Sequence, residues 1–446
     1  MSSSVSRLVS SVCKKIIKPY SPTPISLRCH KLSYLDQMVG GIYMPLALFY
    51  SKLSNTWSNK PNNVVSQHLE KSLSKVLTNY YPFAGKLNDN ISIDCNDNGV
   101  EFFITKINCP MPEIFNHPYF EKHNLVYPTE VINNQYTYEG SLAVFQLTHF
   151  SCGGIAISMC LSHKVGDGYT FGNFMNHWAT MARNALSSEI YPISPKFDGS
   201  FYFPPTKDED SSNVSNNNIV PQREECVSKS FSISSSKLTA LKARVINESQ
   251  VQNPSDIEVV SAFLYQRAMA TKKLVNSSSI RPSLLHQAVN LRPPVPKNTM
   301  GNICSLFSIL TKEEKEMDLA QVVSKLRKEK EEVKQKYKNA KIEELLPITL
   351  EQHRKANDLL VNNSCYDLYR FSSLITFPSY DVDFGWGKPE KVISPLSTSN
   401  PPIKNMFVLM DDKNRDGVNL TCSMKKQDML AFERDEELLR FASPTS

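Results

Sequence analysis

The residues best placed to do chemistry in this 446-residue chain are His163 and Asp167, four positions apart in Ser162-His163-Lys164-Val165-Gly166-Asp167-Gly168. A free imidazole titrates at about pH 6.5, so at neutral pH it can take a proton from a hydroxyl or amine as that group attacks. Two jobs are open to Asp167. It can hold the imidazole's tautomer, as the carboxylate of a serine-hydrolase triad does. Alternatively it can turn away, pair with an arginine and lock the loop from outside. A lone histidine after a strand is more often a packed or solvent-facing residue than a base, so the pair needs elements to position it and a second motif beside it.

The positioning elements are legible on either side. Gly154-Ile155-Ala156-Ile157-Ser158-Met159-Cys160-Leu161 is a short apolar run that reads as a buried strand. Phe171, Phe174, Met175, Trp178 and Met181 recur at helical spacing after the motif, which is thus a strand-to-helix connection. Gly166 and Gly168 leave the backbone there open to close approach by a ligand or a second segment. The second motif is Asp383-Phe384-Gly385-Trp386-Gly387-Lys388-Pro389. Two glycines around a tryptophan suit neither a helix nor a central strand, and a tight loop anchored by buried aromatics is expected.

Together these motifs resemble the BAHD family of plant acyl-CoA-dependent acyltransferases. The likeness runs over essentially the whole chain. Ser21-Pro22-Thr23-Pro24, Leu32-Ser33-Tyr34-Leu35-Asp36-Gln37, Tyr81-Pro82-Phe83-Ala84-Gly85-Lys86, Asp94-Cys95-Asn96-Asp97 and Val289-Asn290-Leu291-Arg292 look like that family too. More narrowly, they look like the branch holding vinorine synthase, the capsaicin synthase of peppers and the acylsugar acyltransferases. The resemblance implies an α/β, two-domain fold of the chloramphenicol-acetyltransferase type, with mixed sheets, flanking helices and a solvent tunnel between the domains. The expected division is an N-terminal domain over 1–195 carrying His163, a crossover linker over 196–223 and a C-terminal domain over 224–446. About 383–403 would cross back to the first domain. Composition supports the linker, since Pro204-Pro205, Asp208-Glu209-Asp210 and the Asn/Ser-rich Ser211 to Asn218 offer little to bury.

For the chemistry, the resemblance implies acyl-CoA as co-substrate with no permanently bound cofactor, and a small-molecule acceptor. His163 would be the general base toward a hydroxyl and would return the proton to the leaving thiolate. Arg292 is the implied partner of Asp167, and Asp383, Gly385 and Trp386 are implied to support the site structurally. Gly168, Asn290, Asn302, Ser372 and Ser373 are candidates for the tunnel wall or an oxyanion donor. The acceptor could be an acylated sucrose; the alternatives are an amine, as in a capsaicin-type enzyme, or an alkaloid hydroxyl. Outside the family, a His-dependent esterase would need a Gly-x-Ser-x-Gly elbow, which the chain lacks. A non-catalytic binding protein of the same fold would be marked by loss of His163 or Asp167, and both are present.

Composition narrows the remaining classes. The chain is 41% hydrophobic and 21% charged, with net charge +6, and it has no dense Lys/Arg block with interleaved aromatics, so a nucleic-acid partner is not expected. Lys312 to Lys341 reads as a solvated helix with Leu319, Val322, Val323 and Leu326 as its buried stripe. Ten cysteines without a Cys-x-x-Cys pair point to thiols rather than disulfides or a metal site. No apolar run approaches the roughly 20 residues of a membrane span. A monomer is expected. Before Asp36 there are six Lys/Arg and no acidic residue. There Val5, Leu8, Val9, Val12 and Ile16 share one helical face, opposite Arg7 and Lys14. That is the profile of an organelle transit peptide, which is the alternative; the expectation is a cytoplasmic protein whose short lead-in packs on the domain and stops at Pro19.

Elsewhere Leu32 to Tyr50 suggests strand segments, and Leu69, Leu73, Val76, Leu77 and Tyr80 trace a helix. Leu285 to Arg292 reads as a strand with His286, Ala288, Asn290 and Arg292 on one face.

Overall fold

The continuous apolar runs of the first half become the inner strands of one sheet, buried on both faces. A computed structural model describes residues 8–51, 53–117, 120–134, 139–184, 194–206, 226–249, 251–276, 281–361, 366–394 and 403–445. Its first large sheet has six strands in the order Val9–Ile17, Val100–Ile107, Ala143–Phe150, Ile155–Ser162, Tyr43–Tyr50 and Lys391–Ile393. The second has seven, in the order Cys304–Thr311, Ser283–Asn290, Asp367–Ser373, Met406–Asp411, Val418–Lys425, Cys226–Ile233 and Ser443–Thr445. Both are mixed. Val100–Ile107 runs parallel to Ala143–Phe150 in the first. Asp367–Ser373 is parallel to both of its neighbours in the second.

Each sheet has its own core. In the first half the helices Asn62–Asn79 and Gly168–Asn184 lay Leu69, Leu73, Val76, Phe174 and Trp178 on the sheet. In the second, Asp256–Asn276 and Leu319–Lys338 bring Val260, Leu264, Leu319, Val322, Val323 and Leu326 against Leu285, Phe307, Tyr369 and Phe407. The charged run is therefore a solvated helix with the expected apolar stripe over Leu319–Lys338, preceded by a separate 3-10 turn at Glu314–Met317. Val382, Phe384, Trp386 and Val392 belong to the first half's core although they lie late in the chain. Lys391–Ile393 pairs antiparallel with Phe49 to Ala47.

Three local expectations change. The N-terminal stretch is a strand, not a helix: Val9–Ile17 is antiparallel to Val100–Ile107, with a bulge between Val9 and Ser11. The apolar spacing fits a helix, but an open sheet edge supplies a ladder of backbone hydrogen bonds, and Val12 and Ile16 stay more than half exposed. Val5 and Arg7 lie outside the described residues. Second, Leu32 to Tyr50 is not all strand. Ser33 caps a helix, Tyr34–Met38, with Asp36 in a reciprocal capping box, before the strand Tyr43–Tyr50 begins. Third, the start of the expected linker is packed: Phe203 is fully buried and its carbonyl accepts from Tyr34 N at 3.0 Å. The rest of that stretch, 207–223, lies outside the described residues. Among the described residues no disulfide joins cysteines, no His/Cys/Asp/Glu group could hold a metal, and no helix is long and apolar enough to cross a membrane.

Candidate active site

His163 is delivered by Ile155–Ser162, whose eight residues are all buried, and its own N–H closes onto Ile42 O at 2.7 Å. A single 3-10 turn, His163–Val165, then leads through Gly166 to the helix Gly168–Asn184. Glycine is required at 166, because a Cβ there would lie 2.5 Å from Thr170 Cγ2. Asp167 sits at the start of the helix, where its Oδ1 accepts from Thr170 N at 2.9 Å, a placement favoured by the helix dipole.

Asp167 does not orient the imidazole. Its Oδ2 accepts from Arg292 Nη1 at 2.8 Å and from Ile303 N at 3.1 Å. Arg292 is itself sealed: its Nε donates to Thr299 O at 2.9 Å, its Nη2 donates to Gly301 O at 3.1 Å, and the guanidinium lies 4.6 Å from the Tyr169 ring centre. Burial alone would raise the Asp167 pKa, but the Arg292 charge and hydrogen bonds, with the N–H groups of Thr170 and Ile303, outweigh it and hold the carboxyl below its ordinary value. His163 moves the same way for another reason. Burial lowers its pKa more than its own backbone, Asp167, Asn302 and Asp36 raise it, so the ring is neutral at neutral pH. Deprotonated base is therefore complete at high pH and is lost as pH falls through the lowered pKa. A kcat/KM profile should show its acid limb below the ordinary histidine value of 6.5; a limb above that value would contradict the burial argument.

A second carboxylate supports the same residue from the other side. Asp36 is buried and its Oδ2 accepts from Ser33 Oγ at 2.6 Å. Its Oδ1 accepts from both Asn302 N and Asn302 Nδ2 at 2.8 Å. Asn302 Nδ2 also donates to the His163 carbonyl at 2.8 Å. Lys164, buried beside it, donates to Asn90 Oδ1 at 2.6 Å and Gln37 O at 3.0 Å. Burial, opposed by Asp36, lowers its pKa to about 8. Consecutive N–H groups, Asn302 and Ile303, thus go to Asp36 and Asp167, and the strand tip bearing His163 is fastened to the second half at this point.

The Asp383 loop stands apart from the imidazole. Asp383 Oδ1 accepts from Gly385 N at 2.8 Å and Gly387 N at 2.9 Å, and both glycines have positive φ. Arg183 Nη1 donates to the Asp383 carbonyl. Trp386 is buried against Tyr50, Trp57 and His68. None of Asp383, Phe384, Gly385, Trp386 and Gly387 lines the cavity at His163. Trp386→Ala should therefore act on stability, costing about 3–5 kcal/mol. Thermal unfolding against kinetics will check this: a large loss of midpoint with KM unchanged is expected.

That cavity has a volume of about 420 Å³. Its wall is mainly apolar, with Leu35, Ile42, Met44, Phe171, Leu306 and Phe377 among its members. His163, Gly168, Asn302 and Ser372 line it. Asn290 and Ser373 do not, correcting the expectation for both. The Asn290 side-chain oxygen accepts from Arg292 N and Nη1 at 3.1 Å, and Ser373 Oγ accepts from Ile375 N at 3.2 Å. Ser373 lies on the face of its strand opposite Leu368, Arg370 and Ser372, which line the cavity together with Phe371. Sequence reasoning missed His353 and Arg370 as wall residues and Asp36 as a support. Alternation places His286 and Ala288 on one face of the strand Leu285 to Arg292, and both line the cavity, although neither is among the expected wall residues.

The fold and this site define a class. A family model described as the transferase family matches residues 8–439, and the chain belongs to that family, the BAHD acyltransferases of plant specialised metabolism. It is 40% identical over 434 residues to acylsugar acyltransferase 3 of Solanum lycopersicum, covering 97% of each chain. It is 41% identical over 448 residues to acyltransferase Pun1 of Capsicum frutescens, covering 98% of each. Among solved structures it is similar to vinorine synthase, with a TM-score of 0.80 and 29% identity over 98% of this chain and 99% of that one.

Proposed function

We propose that this acyltransferase moves an acyl group from acyl-CoA to a hydroxyl of a small molecule, with His163 as general base. The acceptor O–H gives its proton to the imidazole as the oxygen attacks the thioester carbonyl; the C–S bond then breaks and the imidazolium protonates the CoA thiolate. The observation that carries this is a neutral imidazole on the wall of an apolar cavity, with Asp167 committed to Arg292 and so acting as a positioning residue. The cavity must hold thioester carbonyl and acceptor within about 3–3.5 Å for the base to count. On this reading the cavity is part of a passage between two domains, and the chain works as a monomer without a permanently bound cofactor. The relatives support a plant specialised metabolite as acceptor, an acylated sucrose being one candidate and an amine or an alkaloid hydroxyl the others. The proposed compartment is the cytoplasm; imaging a fusion truncated before Lys18 beside the full chain tests that. Mass spectrometry of products from purified protein, a panel of CoA thioesters and a plant metabolite extract tests the function. Acylated products formed by the wild type and not by His163→Ala are expected. Identical behaviour of the two proteins would sink the reading.

A further inference from the structure

Six apolar members of the cavity wall form one patch. Met44, Leu46, Phe171, Leu374, Met406 and Val408 line the cavity while belonging to, or packing against, the first half's core. The polar wall members His286, His353 and Asn357 come instead from the strand Ser283–Asn290 and the helix Ile342–Val361 of the second half. A carbon chain entering the cavity loses most water against the first group.

Phe377 borders that patch beside Leu374, on a seat made of bare backbone. A Cβ on Gly168 would meet Phe377 Cε2 at 2.9 Å and Leu374 Cδ2 at 2.8 Å, and a Cβ on Gly172 would meet Phe377 Cβ at 3.9 Å. These glycines are one turn apart on the helix Gly168–Asn184 and so share a face. The Tyr169 ring meets Phe377 edge-on, with centres 6.3 Å apart. Gly168, Gly172, Leu374 and Phe377 all line the cavity. The backbone carrying the ring is held from both halves. Leu374 N donates to Leu409 O at 2.8 Å, and Asn176 Nδ2 donates to Pro378 O at 3.3 Å. Thr376 has a φ of +74°, which a β-branched residue rarely adopts, and its N–H donates to Asp411 Oδ2 at 2.7 Å. Strain kept in place by tertiary partners, one residue before a cavity-lining ring, fixes where that ring points.

We propose that Phe377 is a specificity-determining residue: its ring, seated on Gly168 and Gly172, is the stop that limits how long an apolar carbon chain the cavity accepts. This rests on acyl transfer in the same cavity and adds the size of the group received there. The chain can be the acyl group of the thioester or an alkyl part of the acceptor, and its contact with the ring is the same in both cases. Each CH2 buried short of the stop should tighten binding by about fourfold. A chain that reaches the stop must displace a ring whose backbone is held, so affinity should break there and fall.

Two ladders of ligands, read by isothermal titration, test the stop. One is the unbranched acyl-CoAs from acetyl to dodecanoyl; the other is the primary alkanols from butanol to decanol, added to CoA-saturated protein. Phe377→Ala should move the break toward longer chains by at least about two carbons in one ladder. Gly168→Ala, whose methyl presses on Phe377 and Leu374, should move it toward shorter ones. A shift in the acyl-CoA ladder places the chain on the donor, and a shift in the alkanol ladder places it on the acceptor; both support the stop. Phe377→Leu should give a smaller shift of the same sign as Phe377→Ala, which covers the case in which the alanine variant does not fold. A break that stays put while affinity drops equally at every length would reduce Phe377 to packing and overturn the proposal. Wild-type affinity rising without a break through both ladders would overturn it too. The same ladders in His163→Ala keep the two readings apart: transfer unaffected by that change, with the break still moved by Phe377→Ala, would count against the base and leave the stop standing.

Discussion

His163→Ala should lower kcat for acyl transfer by about 10²–10⁴-fold, the contribution of a positioned general base. The variant should stay folded, because the strand tip is held by its backbone: His163 N and O carry the contacts to Ile42 and Asn302. Circular dichroism and the unfolding midpoint should therefore match the wild type, while thiol release from acyl-CoA in the presence of acceptor falls. KM for the thioester should move little, since the lost interaction belongs to proton transfer. A His163→Ala enzyme retaining more than a tenth of wild-type kcat would remove the base from the mechanism.

Arg292→Met should have a large effect on stability, about 3–5 kcal/mol, because it strands the Asp167 charge in the interior. The Arg292 side chain is 0% exposed and that of Asp167 is 11% exposed, so water does little to replace the lost partner. The same change removes one donor from the Thr299 carbonyl and one of the donors to the Gly301 carbonyl. The loop that carries Asn302 then loses its Arg292 contacts while keeping those to Asp36, and kcat should fall with stability. Asp167→Asn keeps one acceptor oxygen, enough for Thr170 N or Ile303 N but not for both, and loses the charge, so its loss of activity should be smaller than that of Asp167→Ala and fall mainly on kcat. An unchanged rate in Asp167→Ala would exclude both the orienting and the locking role. Denaturant unfolding and steady-state kinetics on the three variants decide between these outcomes.

What could be read from the chain and what could not divides along a physical line. The strand before His163 and the helix after it are local: an apolar run and a helical stripe in contiguous residues. The loop at Asp383 was legible because two glycines around a buried tryptophan leave few other conformations. Val9–Ile17 was misread because its helical spacing is local, whereas the sheet edge that captures it lies about a hundred residues on, at Val100–Ile107. Asp36 was seen only as part of a familiar-looking stretch, because its partner Asn302 is 266 residues away. The cavity wall posed the same difficulty. Arg370 looks like any arginine in an alternating strand until the register sets it beside His286, and Ser373 fell on the wrong side of the same strand.

The two carboxylates that grip Asn302 and Ile303 reach beyond this one chain. Hybrids built by exchanging halves between relatives splice an Asp-bearing donor onto a foreign Gly301-Asn302-Ile303 turn, and the quality of that join, more than the identity of the pocket walls, would set whether the hybrid turns over at all. A nascent polypeptide released before Arg292 would likewise lack both the Asn302 contact to the His163 carbonyl and the cation that faces Asp167, so premature fragments should be inert toward thioesters rather than wastefully hydrolytic.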